Sequence, residues 1–368
     1  MDLQQLNRDV IRRQAGGKTI WQPRIGCWYD DRVFRGEKFP GKYADCTSLK
    51  QLYEKLGCSN RLYDFNSCIE THMDDSVKVE SEHLGERKWK TTIRTPVGSV
   101  YTISKGNASN PGIMPEKWWI ETEEDFKVYT YIEEATTYRF NMDTYQRLLG
   151  ELGHLGLPTV FLSRVNMQRL FIDRCGVTET IYLLSDYPDA VEAYFRALSK
   201  SQESMLHAVA DSPIEWVNYG DNLHCKILPP SLYKKYVLPE YQKRGDILHK
   251  AGKFTYSHWD GDVKELLPYA KDSALDGIEA ITPLPQGDVT LEEVKAALGD
   301  EIFLIDGVCS ILFNDTYPLA MLEEQTKKAL ELFEGQLVLG ISDEFPSDGH
   351  LERIEFVRDI VEEFNSRH

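Results

Sequence analysis

Lys253-Phe254-Thr255-Tyr256-Ser257-His258-Trp259-Asp260-Gly261 is a short apolar and aromatic run that ends in an imidazole, a carboxylate and a glycine. It reads as a buried strand whose last residues carry chemistry. Residues 232–251 before it and 262–270 after it have helical spacing, so the run is the strand of a βα unit. In parallel α/β folds ligands gather at the carboxyl ends of strands, where the following loops converge and helix N-termini offer unpaired N–H groups. His258 and Asp260 stand at that address.

Outward from this unit the rhythm is regular. Strands are predicted at 215–219, 254–257, 277–281, 302–305 and 337–341, with helices between them. Thr290 and Glu293 have capping-box spacing, and 319–333 and 351–364 have amphipathic periods. Such alternation implies a parallel sheet with right-handed crossovers, and the chain has no G-x-G-x-x-G turn to favour a dinucleotide-binding sheet. The expected fold is α/β: a (β/α)8 TIM barrel over 1–368 as a single domain, carrying an N-terminal helical extension and a small antiparallel β insertion.

The first half supplies those additions. Residues 2–14 read as a polar helix, 20–27 as a first strand, and 47–56 as a helix begun by Ser48 with Gln51 and stopped by Gly57. From 76 to 105 the pattern changes to runs rich in Val, Ile, Thr and Tyr, with Thr95-Pro96-Val97-Gly98-Ser99 as a turn, so a β-meander is expected there as an insertion or lid. Helices at 122–135, 142–152 and 187–209 surround a short strand at 158–163.

A net charge of −17 argues against nucleic acid or an anionic membrane as partner, since either demands a concentrated basic face. No apolar run has membrane-spanning length, and the first residues lack the order of a signal peptide, so a cytoplasmic setting is expected. The seven cysteines are scattered with no C-x-x-C pair, which gives neither a disulfide framework nor a zinc ribbon.

Every late strand ends on an acid or a histidine: Asp221, His258 with Asp260, Glu279, Asp306, and Asp343-Glu344. One such acid alone is more often a helix cap. Carboxylates converging on one mouth repel one another unless a cation sits among them, so the set points to a metal or a cationic substrate.

These segments resemble the uroporphyrinogen decarboxylase superfamily. Phe254 to Gly261 is similar to its His-x-Cys-Gly strand, Gly277-Ile278-Glu279-Ala280 and Gly287-Asp288-Val289-Thr290-Leu291 to its next βα unit, and Asp306-Gly307 and 340–346 to its last two strands. In the N-terminal half, 21–29 and Thr95-Pro96-Val97-Gly98 carry the likeness. The resemblance implies a (β/α)8 barrel with a deep mouth and one of two activities. True decarboxylases of the haem pathway carry Arg-Gln-Ala-Gly-Arg just after the first strand. Here Arg13-Gln14-Ala15-Gly16 lies ahead of that strand and Gly17 replaces the second arginine, so the stretch is a decoy. By position Arg24 matches the first arginine, and Trp28 stands where the second would fall.

The superfamily's other branch consists of methyltransferases that work with corrinoid (cobalamin-carrying) proteins. Its zinc enzymes use the histidine and cysteine of His-x-Cys and a cysteine at the last strand. This chain has His258, Asp260 in place of the first cysteine, and Asp343 or Glu344 about where the second falls. Carboxylates for thiolates make zinc a harder Lewis acid, better suited to an oxygen substrate than to a thiol.

The resemblance therefore implies a demethylase that moves a methyl group from a small-molecule donor, expected to be a methyl ether, to a corrinoid protein. Zinc would be held by His258, Asp260 and Asp343 or Glu344, and Asp221 and Glu279 would orient substrate or relay a proton. Arg24, Trp28, Tyr219 and Trp259 would line the substrate site. A homodimer is compatible with this reading, and a uroporphyrinogen decarboxylase is the alternative.

Overall fold

Strand follows strand around the molecule in chain order. The computed structural model describes residues 2–368, and among them seven parallel strands form one sheet. Ile20–Trp21 pairs with Leu337–Ser342, which pairs with Phe303–Cys309; Gly277–Glu279, Phe254–Trp259, Trp216–Leu223 and Thr159–Phe161 follow. The gap between the two edges is closed by the extended segment 58–62. Ser59 N donates to Trp21 O at 3.0 Å, Asn60 N donates to Leu155 O at 2.9 Å, and Leu62 bridges Pro158 in parallel. Eight staves in sequential order make the (β/α)8 barrel that the alternation predicts.

The interior is layered because side chains alternate along each strand. At the base Ile20, Trp216, Tyr256, Phe303, Ile305 and Val338 form an apolar plug, and helix Leu3–Ile11 covers it with Leu6 and Val10. Arg8 and Arg12 pin that helix to Glu215, which precedes the strand Trp216–Leu223. The decoy arginine, Arg13, is also at this end, stacked on Phe303 and far from the mouth. Above the plug the barrel turns polar, with Gln22, Arg61, Asn218, Glu279 and Asp306 pointing inward.

Several elements differ from expectation. Residues 262–270 form turns and a 3-10 turn at Leu267–Tyr269 instead of a helix. Pro268 removes a backbone donor in a segment already too short to nucleate one. The first strand is only Ile20–Trp21, since Pro23 cannot extend the ladder and a helix begins at Gly26. The inserted sheet has four antiparallel strands and runs from Lys78 to Lys117, beyond the 76–105 span. It lies on helix Glu123–Glu134 through buried Val100 and Thr102. A separate pair, Ile69–Met73 with Thr136–Phe140, clamps its two ends.

Helix signals that depend on local chemistry are realised. Ser48 caps Leu49–Leu56 by accepting from Gln51 N, and Gly57 ends it in the left-handed region at φ 70°. Thr290 and Glu293 form a reciprocal capping box on Leu291–Leu298. All seven cysteines are free and only Cys27 is exposed. No helix among the described residues is long and apolar enough to cross a membrane.

Candidate active site

The strand Phe254–Trp259 directs His258 inward at the C-terminal end of the barrel, where only 7% of it is exposed. Its Nδ1 lies 3.0 Å from Glu279 Oε2, on the neighbouring strand in register with it. A carboxylate accepts only, so Nδ1 carries the proton and the Nε2 lone pair is free. That Nε2 faces Asp343 Oδ1 at 3.8 Å. His258, Asp260 and Asp343 each offer a ligand atom, and the three atoms lie within 4.8 Å of one another. Asp343 reaches this position through a left-handed backbone, φ 71°, at the end of the last strand.

Glu279 is the hub beneath. Besides His258 it accepts from Asn218 Nδ2 at 3.0 Å, from Tyr63 Oη at 2.9 Å and from Arg61 Nη1. Burial opposes its charge, yet Arg61, Arg24 and the His258 bond hold its carboxyl well below the usual range. Arg61 spends every nitrogen on the protein: Nε on Gln22 at 2.8 Å, Nη1 on Glu279, and Nη2 on Asp306 at 2.9 Å. Burial raises Asp306, with Arg61 pulling back, so Glu279 is the more firmly ionised of the two acids. A polar column thus runs from the base to the mouth: Asn7, Gln22, Arg61, Glu279, His258.

Arg24 enters from the loop after the first strand. Its Nη2 donates to Glu344 Oε1 at 2.7 Å, and its Nη1 lies 3.3 Å from His258 Nδ1. With Nδ1 protonated, both nitrogens of this second approach carry hydrogen, and it is not a hydrogen bond. Glu344 is therefore tied to Arg24 instead of joining Asp260 and Asp343, and burial raises its carboxyl. The acid facing His258 is Asp343.

Four other expected residues lie elsewhere. Asp221 is 1% exposed and turned toward the outer helices, accepting from Val165 N at 3.0 Å and from Tyr241 Oη at 2.8 Å. Burial pushes its carboxyl up to about 6. Tyr219 packs on Tyr241 with ring centres 5.0 Å apart, and Trp259 packs on Tyr233. The reason is alternation: Asn218 and His258 point inward, so their successors point out. Trp28 is buried between Phe39, Phe345 and Arg32.

Sequence reasoning missed Arg61 and Tyr63. The available signal was topological: after the helix stop at Gly57 a barrel demands a strand, and Arg61 is where that strand would face inward. Five acids with one named arginine also called for a second cation.

No family model and no curated protein sequence matches the chain. Among solved structures, a methyltransferase from Methanosarcina mazei superposes with a TM-score of 0.61 at 12% identity, covering 98% of this chain and 98% of that one. A putative vitamin-B12 independent methionine synthase from Listeria monocytogenes follows at 11% identity, covering 94% and 96%, with a TM-score of 0.41 too low to carry an argument. The first likeness is one of fold, and it agrees with the barrel that the sequence implies.

Proposed function

We propose that this protein is a substrate-specific methyltransferase that takes a methyl group from a small methylated compound, with a methyl ether as the reference substrate, and hands it to a corrinoid carried by a partner protein. The observation that carries the reading is the convergence of His258, Asp260 and Asp343 at the mouth, with Glu279 behind the imidazole. The fold likeness to a methyltransferase supports the class of reaction.

The residues fit a metal on their own chemistry. One imidazole nitrogen and two carboxylates leave a position open, as catalytic zinc sites do, and the Glu279 bond to Nδ1 is the outer contact that fixes a ligating histidine's tautomer. Zinc held by His258, Asp260 and Asp343 would polarise the oxygen that bears the methyl group. The protein's own part is to orient. Glu279, itself held by Tyr63 and Arg61, holds the imidazole ring, while Arg24 holds Glu344 against the rim. A porphyrinogen with many carboxylates suits this interior poorly, because Arg61 is spent on Glu279 and Asp306 and Arg24 on Glu344.

The test is methyl transfer from a panel of methoxylated compounds, methylated amines and thiols to a purified cobalt(I) corrinoid protein, with metal content measured in parallel. Transfer from at least one donor is expected, and His258→Ala should lose bound metal and nearly all turnover while keeping its circular dichroism. Full activity after exhaustive chelation would remove the metal from the reading. Release of carbon dioxide from uroporphyrinogen without methyl transfer would replace the reading altogether.

A further inference from the structure

The polar interior is not balanced. Five carboxylates, Asp260, Glu279, Asp306, Asp343 and Glu344, face two guanidiniums, those of Arg24 and Arg61. With all five ionised, the carboxylates exceed the guanidiniums by three charges. A divalent ion at His258 offsets two of them and leaves one.

The hydrogen bonds are unbalanced in the same direction. Among the described residues of this interior, the buried polar atoms without a partner are both carboxylate oxygens, Asp306 Oδ2 and Glu344 Oε2. Asp306 is fully buried, and its other oxygen is held by Arg61 Nη2. Glu344 likewise gives one oxygen to Arg24 and keeps one free. A buried acceptor left unmade costs as much as a lost hydrogen bond, and more when it is charged. Whatever completes this site must donate and must be positive. Gly340 keeps room for the Asp306 carboxylate itself, since a Cβ there would overlap its Oδ1.

We infer that the methyl donor is a small monocation carrying an N–H group, an alkylammonium compound received by the free oxygens of Glu344 and Asp306. The inference rests on the methyltransferase reading and names its substrate class. An ammonium group supplies both the missing charge and the missing donors. A neutral ether offers neither, and a carboxylate adds to the excess. The methylated atom and the ammonium group are then separate parts of one substrate, the first at His258 and the second deeper, beside Arg24 and Arg61.

The test is calorimetric titration of the zinc-loaded full chain, without corrinoid protein, with three matched methyl ethers: 2-methoxyethylammonium, 2-methoxyethanol and methoxyacetate. The ammonium compound should bind about tenfold or more tightly than either other compound. Glu344→Gln should erase most of that preference, and Asp306→Asn, which keeps an acceptor for Arg61, should weaken it independently; the melting temperature of each variant identifies one that fails to fold. Equal or tighter binding of the neutral or anionic ether overturns the inference, as expected if a proton already supplies the missing charge. Absence of saturable binding by all three up to about 10 mM also overturns it. Because no methyl transfer is measured, failure here leaves the methyltransferase reading standing, whereas ammonium binding without any methyl transfer to a corrinoid sinks that reading and keeps the site.

Discussion

Glu279 ties the candidate site to the stability of the barrel. It is 1% exposed and faces Arg61, which is as deeply buried, so removing one partner strands the other charge in a medium that solvates it badly. Glu279→Ala should therefore cost about 3–5 kcal/mol in urea unfolding. A cost below about 1 kcal/mol would mean that water reaches Arg61. Asp221 is the opposite case, an acid that burial makes harder to ionise. Its carboxyl is raised to about 6, above its unfolded value, so the folded state binds the proton more tightly. The stability this contributes is complete below about pH 4 and is lost as pH rises through about 6, to a total of roughly 2–3 kcal/mol. Asp221→Asn keeps an oxygen for Val165 N and should remove that part of the pH dependence, becoming relatively more stable than the parent as pH rises from about 4 to about 7. Parallel denaturation curves of the two proteins at all pH values would contradict this.

At the scale of elements, the strand Trp216–Leu223 shows how one backbone position accommodates a change of register. Its pairing with Phe254–Trp259 slips, so that Tyr256 faces Asn218 but His258 faces Asn222. The slip is taken up at Gly220, whose φ of 77° favours glycine and where a Cβ would overlap the Leu162 carbonyl. Tyr219 and Asp221, on either side of it, both point to the outer helices. Gly220→Ala should cost about 3 kcal/mol or more, through clash and a disfavoured φ together, read as a lower denaturant midpoint. Thr290→Ala, which opens a capping box on an outer helix, should cost only about 1 kcal/mol. The contrast tests whether the barrel wall is less forgiving than the helices around it.

Taken whole, the molecule is a barrel stoppered at one end and open for chemistry at the other. Helix Leu3–Ile11 covers the apolar base, and its bonds from Arg8 to Glu215 and from Asn7 to Ser59 and Gln22 fix it there. Deleting residues 1–14 should expose the layer of Trp216, Phe303 and Val338, lower the melting temperature and raise binding of a hydrophobic dye. An unchanged melting temperature would show the helix to be an ornament on a self-sufficient barrel.

The local sequence determined a good deal by itself. Alternating strand and helix patterns established the barrel, and capping residues and glycine stops located Leu49–Leu56 and Leu291–Leu298, because period and capping are short-range physics. The position of His258 at a strand end was legible for the same reason. Which neighbours share its side of the wall was not. Asp221, Tyr219 and Trp259 sit at strand ends as His258 does, yet point outward, because alternation decides direction and a one-residue slip would reverse it. Arg61 was invisible because its segment has no strand pattern of its own and becomes a stave only by lying between Trp21 and Pro158. The choice of Asp343 over Glu344 depended on Arg24, more than 300 residues away in the chain, claiming one carboxylate and leaving the other to His258. Such assignments belong to the tertiary structure, since a charge buried in a barrel is settled by every other charge the closed wall brings within reach.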